Sequence, residues 1–285
     1  MHILVTNDDG VTAPGLLALA QVMREFGDVS VIAPDHDWSG GGHVKTLKRP
    51  LRVRSVRLAD GSSALTSDGA PSDCVALGLL GLLSRKVDLI VSGINPMANL
   101  GQDVTYSGTV TAAMEGIIWG VPSVAFSLDA GRSDLGDIAY ETAAAVARII
   151  IDNVITHGLP KGIFLNVNVP YVPLRDLHGI QLTRQGLRVY RDRLERRQDP
   201  RGNDYYWIGG DAPTGVPEDG TDVGALDQHS VSVTPLQLDL TAYDALPAIA
   251  RWGWQNAIGY TPDVRVHDDR LPVGQMPSPE VMAAA

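Results

Sequence analysis

The chain has 285 residues, enough for about two domains or for one large domain with an appendage. Its 23 Lys and Arg against 33 Asp and Glu leave a formal charge of −10, which argues against broad electrostatic binding to nucleic acid polymer or to an anionic membrane. Hydrophobic residues at 44% and charged residues at 20% indicate neither disorder nor a fibrous repeat, and the single cysteine, Cys74, excludes an intramolecular disulfide and a multi-thiolate metal site.

The first residues show no basic leader, and the most apolar runs, 75–83 and 143–151, fall well short of the roughly 20 residues that span a bilayer. One lone cysteine fits a reducing compartment. The expectation is a soluble cytoplasmic protein.

In chain order, Ile3-Leu4-Val5-Thr6 reads as a buried strand closed by Asp8-Asp9-Gly10. A helical pattern follows from Pro14, which suits a first helical turn because its missing N–H costs nothing there. Val29-Ser30-Val31-Ile32-Ala33 is a second strand ended by Pro34-Asp35, completing a βαβ unit. The alternation continues with a helix at 72–83, a strand at 88–91, a helix at 109–119, a strand at 123–127, a helix at 137–151 and a strand at 163–167. This predicts a mostly parallel sheet covered by helices on both faces, a Rossmann-like three-layer α/β fold. From residue 179 the pattern changes: strands at 179–183, 187–194, 204–208 and 230–233 follow one another without helices and predict an antiparallel-rich region. A late helix at 246–258 carries Trp252 and Trp254, suited to packing or a subunit contact. The expected organisation is a catalytic α/β domain over 1–178, an antiparallel-rich region and C-terminal helix over 179–260, and a loose tail over 261–285.

Open parallel sheets bind ligands beyond the carboxyl ends of their strands. The first strand delivers Asn7-Asp8-Asp9-Gly10, the second leads to Ser39-Gly40-Gly41-Gly42-His43, and the third delivers Ser92-Gly93-Ile94-Asn95, followed by Asn99-Leu100-Gly101 and Tyr106-Ser107-Gly108-Thr109. Adjacent aspartates repel unless something positive lies beside them. One of them capping the next helix is the plain structural reading. However, Gly10 and the wait until Pro14 fit a divalent cation better, with Ser39 and Asn95 completing an all-oxygen set of the kind that selects Mg²⁺ or Mn²⁺. Successive N–H groups at Gly40 and Gly41 and the helix start at Ser107-Gly108-Thr109 are two candidate anion sites. His43 is equally compatible with a solvent-facing loop histidine and with a phosphate-contacting acid. Neither a P-loop nor a dinucleotide fingerprint occurs.

At these residues the chain resembles the SurE family of stationary-phase survival proteins, metal-dependent 5′/3′-nucleotidases. The resemblance runs from Ile3-Leu4-Val5-Thr6-Asn7-Asp8-Asp9-Gly10 through Tyr106-Ser107-Gly108-Thr109-Val110, Phe164-Leu165-Asn166-Val167-Asn168-Val169-Pro170 and Asp199-Pro200-Arg201-Gly202 to Ser232-Val233-Thr234-Pro235-Leu236, about residues 1–256. It implies one divalent metal per subunit on Asp8, Asp9, Ser39 and Asn95. It also implies hydrolysis of nucleoside monophosphates, in some members of short polyphosphate, and assembly as a homodimer or homotetramer through 187–208 and 246–258. Two departures stand out: Pro96-Met97 follows the metal-site asparagine where members usually carry a small residue and then glycine, and Gly42 stands where a serine is common.

The mechanism expected from these residues is hydrolysis by metal-activated water, with Asn99, Ser107, Gly108 and Thr109 on the phosphate and His43 assisting the leaving group. A nucleotide-binding or regulatory protein that keeps the metal site with little turnover is the alternative.

Overall fold

The computed structural model describes residues 1–131 and 138–252. Its chain forms two compact units, Met1–Leu236 and Gln237–Ala285. The expected division at 178/179 falls inside the first of them.

The first unit is built on a nine-stranded sheet. Strand β1 (His2–Thr6) is buried along its whole length and runs parallel to β2 (Asp28–Pro34) on one side and β5 (Leu89–Asn95) on the other, with Ile3 opposite Val29 and Leu89. Strands β6 (Ser123–Asp129) and β7 (Ile163–Pro170) continue the parallel run beyond β5. On the other flank β4 (Ser63–Ser67) lies parallel to β2, and β3 (Val53–Arg57) closes the edge antiparallel to β4.

Side chains alternate across a strand, so β1 serves two layers at once. Ile3 and Val5 belong to the cluster shared with α1 (Pro14–Met23) and α4 (Glu141–His157), while Leu4 joins Cys74 and Val75 of α2 (Pro71–Leu77) and Ala112 of α3 (Gly108–Ile118). Helices thus cover both faces, as the alternation of predicted elements required. Close approach sets the helix positions: a Cβ on Gly15 would come within 2.1 Å of the Ile94 carbonyl oxygen, and one on Gly116 within 2.1 Å of Ser123 Oγ.

Two expectations are corrected. The segments at 179–183 and 230–233 do not form a separate antiparallel region. Strands β8 (Ile180–Leu182) and β11 (Val231–Gln237) pair parallel and extend the main sheet past β7, giving the order β3-β4-β2-β1-β5-β6-β7-β11-β8. Their buried contact is polar, with Thr183 Oγ1 bonded to Ser232 and Thr234 hydroxyls at 2.8 Å, which explains why no apolar run announced it. The antiparallel pairing beyond residue 179 is one long hairpin, β9 (Leu187–Gln198) with β10 (Asp204–Val216). The other correction is local: the helix expected over 72–83 ends at Leu77 and continues as a π-turn, Gly78–Leu82. A short α5 (Asp222–Asp227) packs beside β7.

In the second unit, α6 (Leu246–Ala250) lies within the expected late helix. Trp254 and the tail over 261–285 fall outside the described residues.

Candidate active site

The carboxyl ends of β1, β5 and β6 open into a cleft of about 620 Å³. Asp8, Ser39, Gly40, Asn95, Asn99 and Ser107 line it, so residues expected from four separate stretches of sequence do meet. Asp9, Gly41, His43, Gly108 and Thr109 do not line the cleft: Gly108 and Thr109 lie behind Asp8, and the Gly41 N–H donates to the Trp38 carbonyl at 2.9 Å.

The β1 loop is held shut from several sides. Asn7 Nδ2 donates to the Gly10 carbonyl at 3.0 Å, and the Trp38 N–H donates to the Asp8 carbonyl at 2.8 Å, which ties the β1 loop to the segment carrying Ser39. Asp8 is 3% exposed, and its Oδ1 accepts the Thr109 hydroxyl. Gly108 leaves room for this: a Cβ there would lie 2.6 Å from the Asp8 Cβ.

Burial pushes the Asp8 carboxyl above its usual range, and burial together with the charges of Asp8 and Asp37 pushes Asp9 up to about 8. Among the described residues no Lys, Arg or His pairs with either aspartate, and Asp9 Oδ2 is buried without a hydrogen-bond partner. Two adjacent carboxylates in this state, one buried and one with a buried oxygen, need protons or a cation.

The groups around them suit a hard cation. Ser39 Oγ donates to Asp37 Oδ1 at 2.6 Å, which leaves its lone pairs free to face the cleft. Asn95 Nδ2 donates to the Met97 carbonyl, which turns Oδ1 away from that bond. Strand β5 runs as far as Asn95, rather than ending at 91, and holds this residue on the sheet opposite Ser127. Among the described residues no three His, Cys, Asp or Glu side chains cluster as a metal site, so a cation here would draw on the two carboxylates together with a hydroxyl and an amide. Such a set fits an ion that accepts neutral oxygen ligands and water.

Helix α3 begins at this cleft. Ser107 caps it, its Oγ accepting the Val110 N–H at 3.2 Å, the Thr109 N–H meets Asp8, and the first turn carries the positive end of the helix dipole. Asn99 is anchored rather than free: its Nδ2 donates to Ser127 Oγ at 2.8 Å, its N–H to Asn168 Oδ1 at 2.7 Å, and its carbonyl accepts from Asn166 and Asn168. The side chain of His43 is turned from the cleft to Glu115 on α3, with Nε2 3.0 Å from Oε2.

Sequence reasoning missed the far wall of the cleft. Arg188 and residues 212–215 of the hairpin line it together with Val223, Leu226 and Asp227 of α5. It also gave Asn166 and Asn168 no role. Their signal was present as two amides spaced two apart within a strand that is otherwise apolar, hence on one buried face.

A mostly parallel α/β sheet with an oxygen-lined acidic cleft at its strand ends defines a class of ligand-binding or hydrolytic folds rather than one protein. The comparisons with known proteins narrow it. The family model for Survival protein SurE matches residues 3–192. A 5′-nucleotidase SurE of Herpetosiphon aurantiacus is 51% identical over 90% of this chain and 100% of its own, and one of Geobacter sulfurreducens is 46% identical over 88% and 94%. The crystal structure of the SurE protein from Aquifex aeolicus superposes with a TM-score of 0.74 at 41% identity, covering 89% of this chain and 100% of that one. The chain belongs to the SurE family.

Proposed function

We propose that the protein is a nucleotidase that hydrolyses nucleoside monophosphates at the β1–β5 end of the cleft, with a divalent cation held by Asp8, Asp9, Ser39 and Asn95. The observation that carries this reading is the pair of adjacent carboxylates without a basic partner, of which Asp8 is buried against the N-terminus of α3. The name borne by the relatives supports the same reaction class.

When bound, Mg²⁺ or Mn²⁺ supplies positive charge to a phosphoryl oxygen and acidifies a water. The chain's own residues do the rest. Thr109 fixes the Asp8 carboxylate, and Asn95 presents its carbonyl oxygen because Met97 holds its amide. The Gly108 N–H, in the first turn of α3 beside Asp8, supplies a donor to an anionic oxygen of a phosphomonoester at the helix terminus, while the Ser107 N–H is spent on the Asp103 carbonyl at 3.1 Å and the Thr109 N–H on the Asp8 carboxylate. Gly40 offers a backbone donor from the opposite loop, whereas the Gly41 N–H is spent on the Trp38 carbonyl at 2.9 Å. His43 is assigned a structural part, because its ring is engaged by Glu115.

We also infer a homodimer or homotetramer. Leu194 and Ile208, directly opposed on the hairpin, are 69% and 81% exposed, an apolar cross-strand pair that a second copy would cover. The cytoplasm is inferred from the lone, buried Cys74. Among the described residues no helix is long and apolar enough to cross a membrane.

Phosphate release from 5′- and 3′-nucleoside monophosphates, p-nitrophenyl phosphate and short polyphosphate, each with Mg²⁺, Mn²⁺ or EDTA, tests the reading. Cation-dependent release from the nucleotides supports it. Nucleotide binding with no release from any of them favours the regulatory alternative.

A further inference from the structure

The cleft is longer than a phosphate requires, and its two halves differ. Along the sheet the order is β1, β5, β6, β7, so the path from Asp8 after β1 to Asp129 at the end of β6 and α5 beside β7 crosses two to three strand spacings, about 10–15 Å. That is the reach of a nucleoside monophosphate from phosphorus to base. Taking the β1–β5 end as the phosphate site, as proposed above, the other end must receive the nucleoside.

That end is built for a flat heterocycle. Leu100, Val223 and Leu226 form one apolar cluster, and all three reach the cleft wall together with Met97. An apolar wall with a few placed polar groups is the usual composition of such sites.

The placed polar group is Arg188. Its Nε lies 2.7 Å from Asp103 Oδ2, the other oxygen of Asp103 accepts the Tyr190 hydroxyl at 2.6 Å, and the Arg188 N–H donates to Gln102 Oε1 at 3.1 Å. Its stem packs on Gly101, where a Cβ would come 3.1 Å from Arg188 Cγ. The side chain is 14% exposed, and its two Nη groups donate no hydrogen bond to any described residue. A guanidinium held by its ion pair with Asp103, its Nε making no hydrogen bond and its Nη groups unspent, presents a pair of donors to the cleft.

We propose that Arg188 is a base-reading residue that selects 6-oxopurine nucleotides, its Nη groups donating to O6 and N7 of guanine or hypoxanthine. This is the two-pronged geometry in which an arginine meets guanine. Adenine places an amino donor where the 6-oxo group stands, so donor would face donor. Pyrimidines lack the N7 acceptor.

The test has two arms. Steady-state hydrolysis of GMP, IMP, AMP and CMP by wild-type protein and by Arg188→Met and Arg188→Lys reads selection. The expected wild-type kcat/KM is at least tenfold higher for GMP and IMP than for AMP, with the ratio falling to within threefold in Arg188→Met. Calorimetric titration of the wild-type protein with guanosine, inosine and adenosine needs neither turnover nor a variant, and guanosine and inosine should bind at least fivefold tighter than adenosine. Equal binding of the three nucleosides overturns the proposal, as does a GMP to AMP ratio near one or a ratio unchanged in both variants when they fold. If nucleotides are bound but never hydrolysed, the reading of the phosphate end fails alone, and the nucleoside titration still decides the role of Arg188.

Discussion

The Thr109 hydroxyl, in the first turn of α3, donates to Oδ1 of Asp8 in the loop after β1. That hydrogen bond joins α3 to the acidic loop across a sequence separation of 101 residues. Thr109→Val keeps the volume and removes the donor. A lost hydrogen bond to a buried charged group costs about 1–3 kcal/mol, so the variant should unfold at lower urea with cation bound. Its Mn²⁺ affinity, read by titration, should also fall several-fold.

Gly108 is the adjacent control on geometry rather than bonding. A methyl group there would sit 2.6 Å from the Asp8 Cβ, and neither partner is the flexible end of a side chain. Gly108→Ala should lower kcat at least tenfold while circular dichroism shows the fold retained. Its helix should gain slightly in propensity, since alanine replaces glycine.

Glu115 makes a pH-dependent contribution to stability. Burial alone would raise its pKa, but donation from His43 Nε2 at 3.0 Å, Lys45 Nζ at 2.9 Å and Trp119 Nε1 at 2.8 Å outweighs burial and holds the carboxyl at about 2, below its ordinary 4.5. A carboxylate with its pKa lowered on folding stabilises fully above its unfolded value and loses that contribution as pH falls through the folded one. Wild type should therefore exceed Glu115→Gln by about 2 kcal/mol at pH 6–7, with the gap closing between pH 5 and 2. Urea denaturation at several pH values measures it, and a gap that does not narrow in acid contradicts the assignment.

The exposed Leu194 and Ile208 pair predicts assembly through the hairpin. Sedimentation should give a mass at least twice the 30.4 kDa of one chain, and Ile208→Asp should shift it toward the monomer. A wild-type monomer would remove the hairpin from this role.

Half of the site was legible in the sequence. Asp8, Ser39, Asn95 and Ser107 could be placed together because strand order and the strand-end rule bring them to one edge of a parallel sheet. The other half was not, because Arg188 and Val223 reach the cleft from a hairpin and a short helix whose docking depends on single polar contacts such as Gly186 N–H to Asp222 Oδ1 at 2.7 Å. Composition and periodicity carry no sign of such contacts. The same limit hid β8 and β11: three to seven residues with a partner some 50 positions away have no local mark of parallel pairing. His43 stood in a glycine-rich loop beside candidate ligands, and only the structure shows Glu115 engaging its ring.

The account rests on the paired aspartates, and one comparison tests it most directly: phosphate release from GMP by wild type and by Asp8→Asn, each with Mn²⁺ and with EDTA. We expect release by wild type with Mn²⁺, none with EDTA, and a loss of at least a thousandfold in Asp8→Asn while the variant melts at or above the metal-free wild-type temperature, since a buried charge has been removed. Near-normal turnover by a folded Asp8→Asn, or equal turnover in EDTA, would contradict the account.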